Sequence, residues 1–208
     1  LKRSASGLVP VAASLSVAVA LWYLAFFPDW GNFWIKISLS ASFLGAVALV
    51  FGDRPKAWGP WNARAVLQGV LLAAALYVIF FVGDAVSRQL FPFAARQVGG
   101  IYAQGQGTPT WAICLLLLFV TGPCEEIYWR GFVQKRLAAR FGGGPGYALA
   151  TLAYLGVHLS TGNFMLIGAA GVAGAFWGLW YWRTGRLTPL ILSHSLWSTV
   201  IFAVFPIH

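Results

Sequence analysis

Cys124-Glu125-Glu126-Ile127-Tyr128-Trp129-Arg130 sits inside an apolar run that starts near residue 111, and it holds the only two glutamates in the chain. A charged side chain at mid-bilayer depth costs about 2.5 to 3.5 kcal/mol on insertion scales. Two acids and a base within six residues of such a run therefore need a reason, and the usual one is chemistry.

The surrounding composition identifies the solvent. With 59% hydrophobic residues, 9% charged residues, a mean hydropathy of +0.74 and 11 tryptophans, the chain reads as immersed in lipid. The net charge of +9 does not point to nucleic acid, because the basic residues lie in short breaks between apolar stretches, where they orient a membrane protein. Apolar runs near residues 8–27, 33–51, 65–86, 111–131, 146–162, 164–182 and 187–206 predict an all-α, polytopic transmembrane bundle of about seven helices. The expected breaks are Pro28-Asp29, Gly52 to Pro60, a polar segment from Arg88 to Thr110, the Gly142-Gly143-Gly144-Pro145-Gly146 run, and Gly162-Asn163. The last is so short that the helices on either side of it must be antiparallel neighbours. Tryptophans 30, 34, 58, 61, 111, 180 and 182 fall at helix ends, where amphipathic rings settle in the headgroup zone.

Nothing divides residues 1–208, so one integral membrane domain is expected. Lys2 and Arg3 before an apolar run could open a signal peptide, but apolar residues continue through Phe27, which suits a retained helix better. Cys114 and Cys124 are ten residues apart on one predicted helix. At about 15 Å along the axis they are too far apart for a disulfide.

With a cytoplasmic N-terminus, one side of the membrane carries Lys2, Arg3, Arg54, Lys56, Arg64, Lys135, Arg136, Arg140, Arg183 and Arg186, and the other only Lys36, Arg88 and Arg96. That bias predicts a cytoplasmic N-terminus for a multi-pass protein, whose expected location is a bacterial plasma membrane.

Three predicted helices bring polar groups to a similar depth. Glu125 is ten residues from Lys135, His158 eleven from Tyr147, and His194 eight from Arg186, or about 12 to 17 Å from the cytoplasmic ends. Glu126 and Arg130 share a helix face and can form a structural ion pair, while Glu125 is turned about 100° away. Tyr154 precedes His158 by one turn and Ser198 follows His194 by one. A carboxylate, two imidazoles and a hydroxyl can thus converge. Glu125, His158 and His194 would also be a zinc ligand set, although the helical His-Glu-x-x-His motif is absent. Spacing alone does not separate metal-dependent from metal-free hydrolysis. Asp84 and Arg88, one turn apart, and the terminal His208 read as solvated.

The motif Glu125-Glu126-Ile127-Tyr128-Trp129-Arg130 resembles the Glu-Glu-x-x-x-Arg signature of the CAAX prenyl protease 2-like, or CPBP, intramembrane proteases, which include bacteriocin-processing and self-immunity relatives. Tyr154-Leu155-Gly156-Val157-His158 is similar to its Phe-x-x-x-His motif, with tyrosine for phenylalanine. His194-Ser195-Leu196-Trp197-Ser198 is similar to its His-x-x-x-Asn/Asp motif, ending in serine. The resemblance covers residues 111–206, a catalytic core in the last four helices; residues 1–110 match only in being hydrophobic.

The resemblance implies an endopeptidase in which Glu125 is the general base, His158 its partner in activating water, and His194 an oxyanion donor. Ser198 stands where the family has a second donor, with a shorter reach and one hydrogen. No cofactor is expected on this reading, although the family has also been described as metalloproteases, which would make Glu125, His158 and His194 zinc ligands. The expected partners are membrane lipid and a protein or peptide substrate. Two other classes place Glu and His inside a bilayer: a proton or ion transporter, and an inactive scaffold or immunity protein. Paired broken helices or repeated halves would favour a transporter, and neither is seen. Ser198 is the main support for a scaffold.

Overall fold

The computed structural model describes residues 8–27, 30–52 and 58–207. Lys2, Arg3, the Pro28-Asp29 break, Arg54, Lys56 and His208 lie outside them. Among the described residues there are eight helices and no strand: α1 (Val9–Phe26), α2 (Phe33–Phe51), α3 (Ala63–Leu90), α4 (Ala94–Ala103), α5 (Thr110–Phe141), α6 (Gly143–His158), α7 (Phe164–Thr184) and α8 (Thr188–Val204). The all-α membrane bundle is therefore observed. Helices α1, α2, α3, α5 and α7 are long and apolar enough to cross a membrane. α6, with 16 residues, spans about 24 Å, less than the ~30 Å of a hydrocarbon core, and α8 is likewise short.

Local chemistry sets the ends. Asn32 Oδ1 accepts from the backbone N–H of Trp34 at 2.9 Å, Asn62 from Ala65 at 2.9 Å and Asn163 from Leu166 at 3.0 Å, so three helices start on asparagine caps. The glycine-rich break contracts to one residue. Gly142, at φ +93°, turns the corner alone, and Gly143 already begins α6. A Cβ on Gly146 would lie 2.3 Å from Ala138 Cα, so the two arms of this hairpin touch at the corner.

The segment from Arg88 to Thr110 is not the simple loop expected. It contains α4, whose Gln97 accepts from the Met165 N–H at 3.0 Å and, through its own carbonyl, from the Asn163 side chain at 2.9 Å. α5 is longer than expected and irregular, widening into π turns at Leu117–Thr121 and Ile127–Gln134 on either side of the glutamates. Pro123 has no N–H and its ring crowds the carbonyl one turn back, and the first π turn lies just upstream of it.

α6 and α7 are the antiparallel neighbours their short connection requires, and α8 packs along α3. Glycines permit the close approaches: a Cβ on Gly69 would meet Leu192 at 2.9 Å, and one on Gly174 would meet Tyr154 at 2.9 Å. The rings of Trp30, Trp61, Trp111 and Trp182 are exposed, as boundary residues should be, but Trp34 is buried against the core.

Candidate active site

Gly122 lets α8 approach α5. A side chain there would strike Ser195 Oγ at 2.6 Å and its Cα at 2.8 Å, so only glycine allows the contact that brings His194 beside the glutamates. α6 approaches from the other side through Tyr154. The result is a cavity of about 440 Å³ into which Glu125, Tyr154, His158, His194 and Ser198 all face. The rest of its wall is largely apolar, including Trp22, Phe26, Phe33 and Trp34 from α1 and α2.

The two glutamates diverge as their spacing requires. Glu126 is fully buried, and its Oε1 accepts from Arg130 Nη1 at 2.8 Å. The same oxygen lies 2.8 Å from His194 Nδ1, an unforeseen contact. A carboxylate only accepts, so His194 carries its proton on Nδ1 and leaves Nε2 to the cavity. Glu126 therefore orients an imidazole as well as neutralising an arginine. Arg130 is held further by the Gly174 carbonyl at 3.3 Å and lies over the rings of Tyr154 and Trp177, at 4.9 and 5.4 Å. Trp177 in turn stacks on His194 at 4.1 Å.

Glu125 Oε2 accepts the Tyr154 hydroxyl at 3.0 Å, while Oε1 has no hydrogen-bond partner among the described residues. His158 Nδ1 lies 2.8 Å from the Tyr154 carbonyl, which can only accept, so this nitrogen carries the proton. Its Nε2 then accepts from the indole N–H of Trp22 at 3.2 Å. Sequence analysis missed Trp22 because a tryptophan in an apolar run reads as lipid-facing. Ser198 Oγ donates to the His194 carbonyl at 2.7 Å, within its own helix. Asp84 and Arg88 pair at 2.6 Å, but Asp84 borders the cavity instead of lying in open solvent. Cys114 and Cys124 are free thiols.

As arranged, His158 Nδ1 donates to a backbone carbonyl and Nε2 accepts from Trp22, while Glu125 keeps one oxygen free. Among the described residues no three of His, Cys, Asp and Glu form a group that could hold a metal.

Residues 107–200 match the family model described as Type II CAAX prenyl endopeptidase Rce1-like. The match holds Glu125, Glu126, Arg130, His158, His194 and Ser198, and it points to an endopeptidase. No curated protein and no solved structure matches the chain.

Proposed function

We propose that this chain is an intramembrane endopeptidase acting through water activated by Glu125 and His158, on the premise that residues 107–200 belong to the Type II CAAX prenyl endopeptidase Rce1-like family. The observation that carries the mechanism is the divergence of the two glutamates: Glu126 is engaged by Arg130 and His194, while Glu125 turns one free oxygen toward a cavity it shares with His158.

On this reading water binds between Glu125 Oε1 and His158 Nε2, taking the place of the Trp22 hydrogen bond. Glu125 removes a proton as the water oxygen attacks the peptide carbon. His194 Nε2 then needs a hydrogen to donate to the oxyanion. Its Nδ1–H is held by the Glu126 carboxylate, so an imidazolium stabilised by that carboxylate serves this step. The carbon–nitrogen bond breaks and Glu125 returns the proton to the leaving nitrogen. No metal is required. The apolar cavity wall suits a substrate carrying a membrane-embedded or lipidated segment beside the scissile bond. Residues 1–208 act as one membrane domain.

The test is cleavage by purified protein of a peptide bearing an apolar anchor. Glu125→Gln is expected to abolish turnover while leaving the fold intact, and thorough chelation is expected to leave the unsubstituted protein active. Turnover retained by Glu125→Gln would refute the assignment of the base. Activity lost on chelation and restored by zinc would refute the metal-free route. Absence of cleavage by the unsubstituted protein would favour the scaffold or transporter.

The proposed orientation puts the N-terminus and the Gly142 corner on the cytoplasmic side. With Cys114 and Cys124 replaced by alanine, Gly144→Cys should be shielded from an impermeant thiol reagent in intact cells and Gln104→Cys labelled. The reverse pattern would invert the topology.

A further inference from the structure

As arranged, the site is one donor short. A tetrahedral intermediate concentrates negative charge on one oxygen, and removing one aimed donor costs about 10²- to 10³-fold in kcat. Ser198 should have been the second donor after His194, but its single hydrogen is committed to the His194 carbonyl at 2.7 Å. Other donors around the cavity are engaged or are not tied to Glu125. In the resting molecule the Trp22 N–H goes to His158 and the Thr121 and Ser38 hydroxyls pair with each other. The N–H groups of Trp34 and Trp197 are buried and make no hydrogen bond among the described residues, so neither is tied to Glu125.

Tyr154 differs from all of these. Its hydroxyl is held 3.0 Å from Glu125 Oε2, within one hydrogen bond of the proposed base, and its side chain lines the cavity. The Arg130 guanidinium lies against its ring at 4.9 Å, and His194 is tied to the same guanidinium through Glu126 and Trp177. Tyr154 and His194 thus flank Arg130.

We propose that the Tyr154 hydroxyl is a catalytic residue, the oxyanion donor that works with His194 where Ser198 does not; this rests on the endopeptidase reading above. In the resting molecule the hydroxyl donates to the Glu125 carboxylate. During attack a water O–H bond breaks, its proton passes to Glu125, a carbon–oxygen bond forms, and the carbonyl π pair moves onto oxygen. Glu125 is now a neutral carboxyl, a weaker acceptor than the new oxyanion. The hydroxyl turns to the oxyanion and keeps its own proton. When the carbon–nitrogen bond breaks, the electron pair leaves with nitrogen, Glu125 supplies that nitrogen's proton, and the hydroxyl returns to the carboxylate.

The experiment compares the unsubstituted protein with Tyr154→Phe, Ser198→Asn and the double variant. It measures turnover of the anchored peptide and binding of a peptide phosphinate that mimics the tetrahedral intermediate. Asparagine reaches further than serine, has two hydrogens, and at position 198 faces the cavity, which has room for it. Tyr154→Phe should lower kcat by about 10²-fold with little change in KM, and weaken phosphinate binding in parallel. Adding Ser198→Asn should recover about tenfold or more of both losses, as a regained donor would. Tyr154→Phe with kcat and phosphinate affinity near those of the unsubstituted protein would overturn the proposal. So would equal losses in the single and double variants, which would make the hydroxyl a support for Glu125 alone. A wild type that neither cleaves the peptide nor binds the phosphinate would overturn the endopeptidase reading and this proposal with it.

Discussion

The front of the molecule, α1 to α4, and the back, α5 to α8, differ in what they contribute. The back carries the motifs, the family match and the glutamates and histidines of the candidate site, while the front sets Asp84 at the cavity border. The front has no motif, yet its side chains bond directly to the back: Trp22 donates to His158 at 3.2 Å, Ser38 bonds to Thr121 at 3.2 Å, and Ser14 accepts from Tyr128 at 3.0 Å. It also supplies much of the apolar cavity wall. The difference teaches that reacting groups and the enclosure that makes them useful need not share a segment. A cavity wall asks only for bulk and apolarity, which many sequences satisfy. A base and its partners ask for particular atoms.

Two substitutions probe that division. The larger effect is expected in the back. Glu126→Gln leaves Arg130 charged without its carboxylate and gives His194 Nδ1 a neutral amide oxygen in place of a charged acceptor, so stability should fall by about 3 to 5 kcal/mol, as when a buried pair loses one member. Thermal unfolding in detergent measures this; an unchanged melting temperature would mean the pair does not hold the fold. The smaller effect is expected in the front. Trp22→Phe keeps the ring and removes the donor to His158, a bond worth about 1 kcal/mol, so kcat should change by about fivefold. A loss as deep as that of Glu125→Gln would put a catalytic group in the front and erase the distinction.

The legible parts of the site were those with a period. The one-turn spacing of Glu126 and Arg130 foretold their pairing, and the offset of Glu125 foretold its freedom. Equal depths on three helices foretold the convergence of Glu125, His158 and His194 at one cavity. Gly162-Asn163 announced both a helix end and the cap of the next helix. Contacts between distant residues had no such signal. The bond from Glu126 to His194 spans 68 residues and that from Trp22 to His158 spans 136, and neither is written in local spacing. α4 was hidden because Gly99, Gly100 and its polar residues read as loop. The π turns left one clue that went unused, Pro123 inside an otherwise helical run. Tyr154 left another: a hydroxyl on a buried helix face needs a partner, and Glu125 was the glutamate without an arginine one turn away.

The single-residue corner at Gly142 bears on how the protein is made. Because α5 and α6 turn on one glycine and touch where Gly146 meets Ala138, they can form a hairpin as soon as residue 158 leaves the ribosome. By then Trp22, Glu125 and His158 all exist, but His194 does not. On the mechanism proposed above, a chain at that stage has the base and the Tyr154 donor but lacks the His194 donor. Its last helix, docking against Gly122, brings His194 to the candidate site.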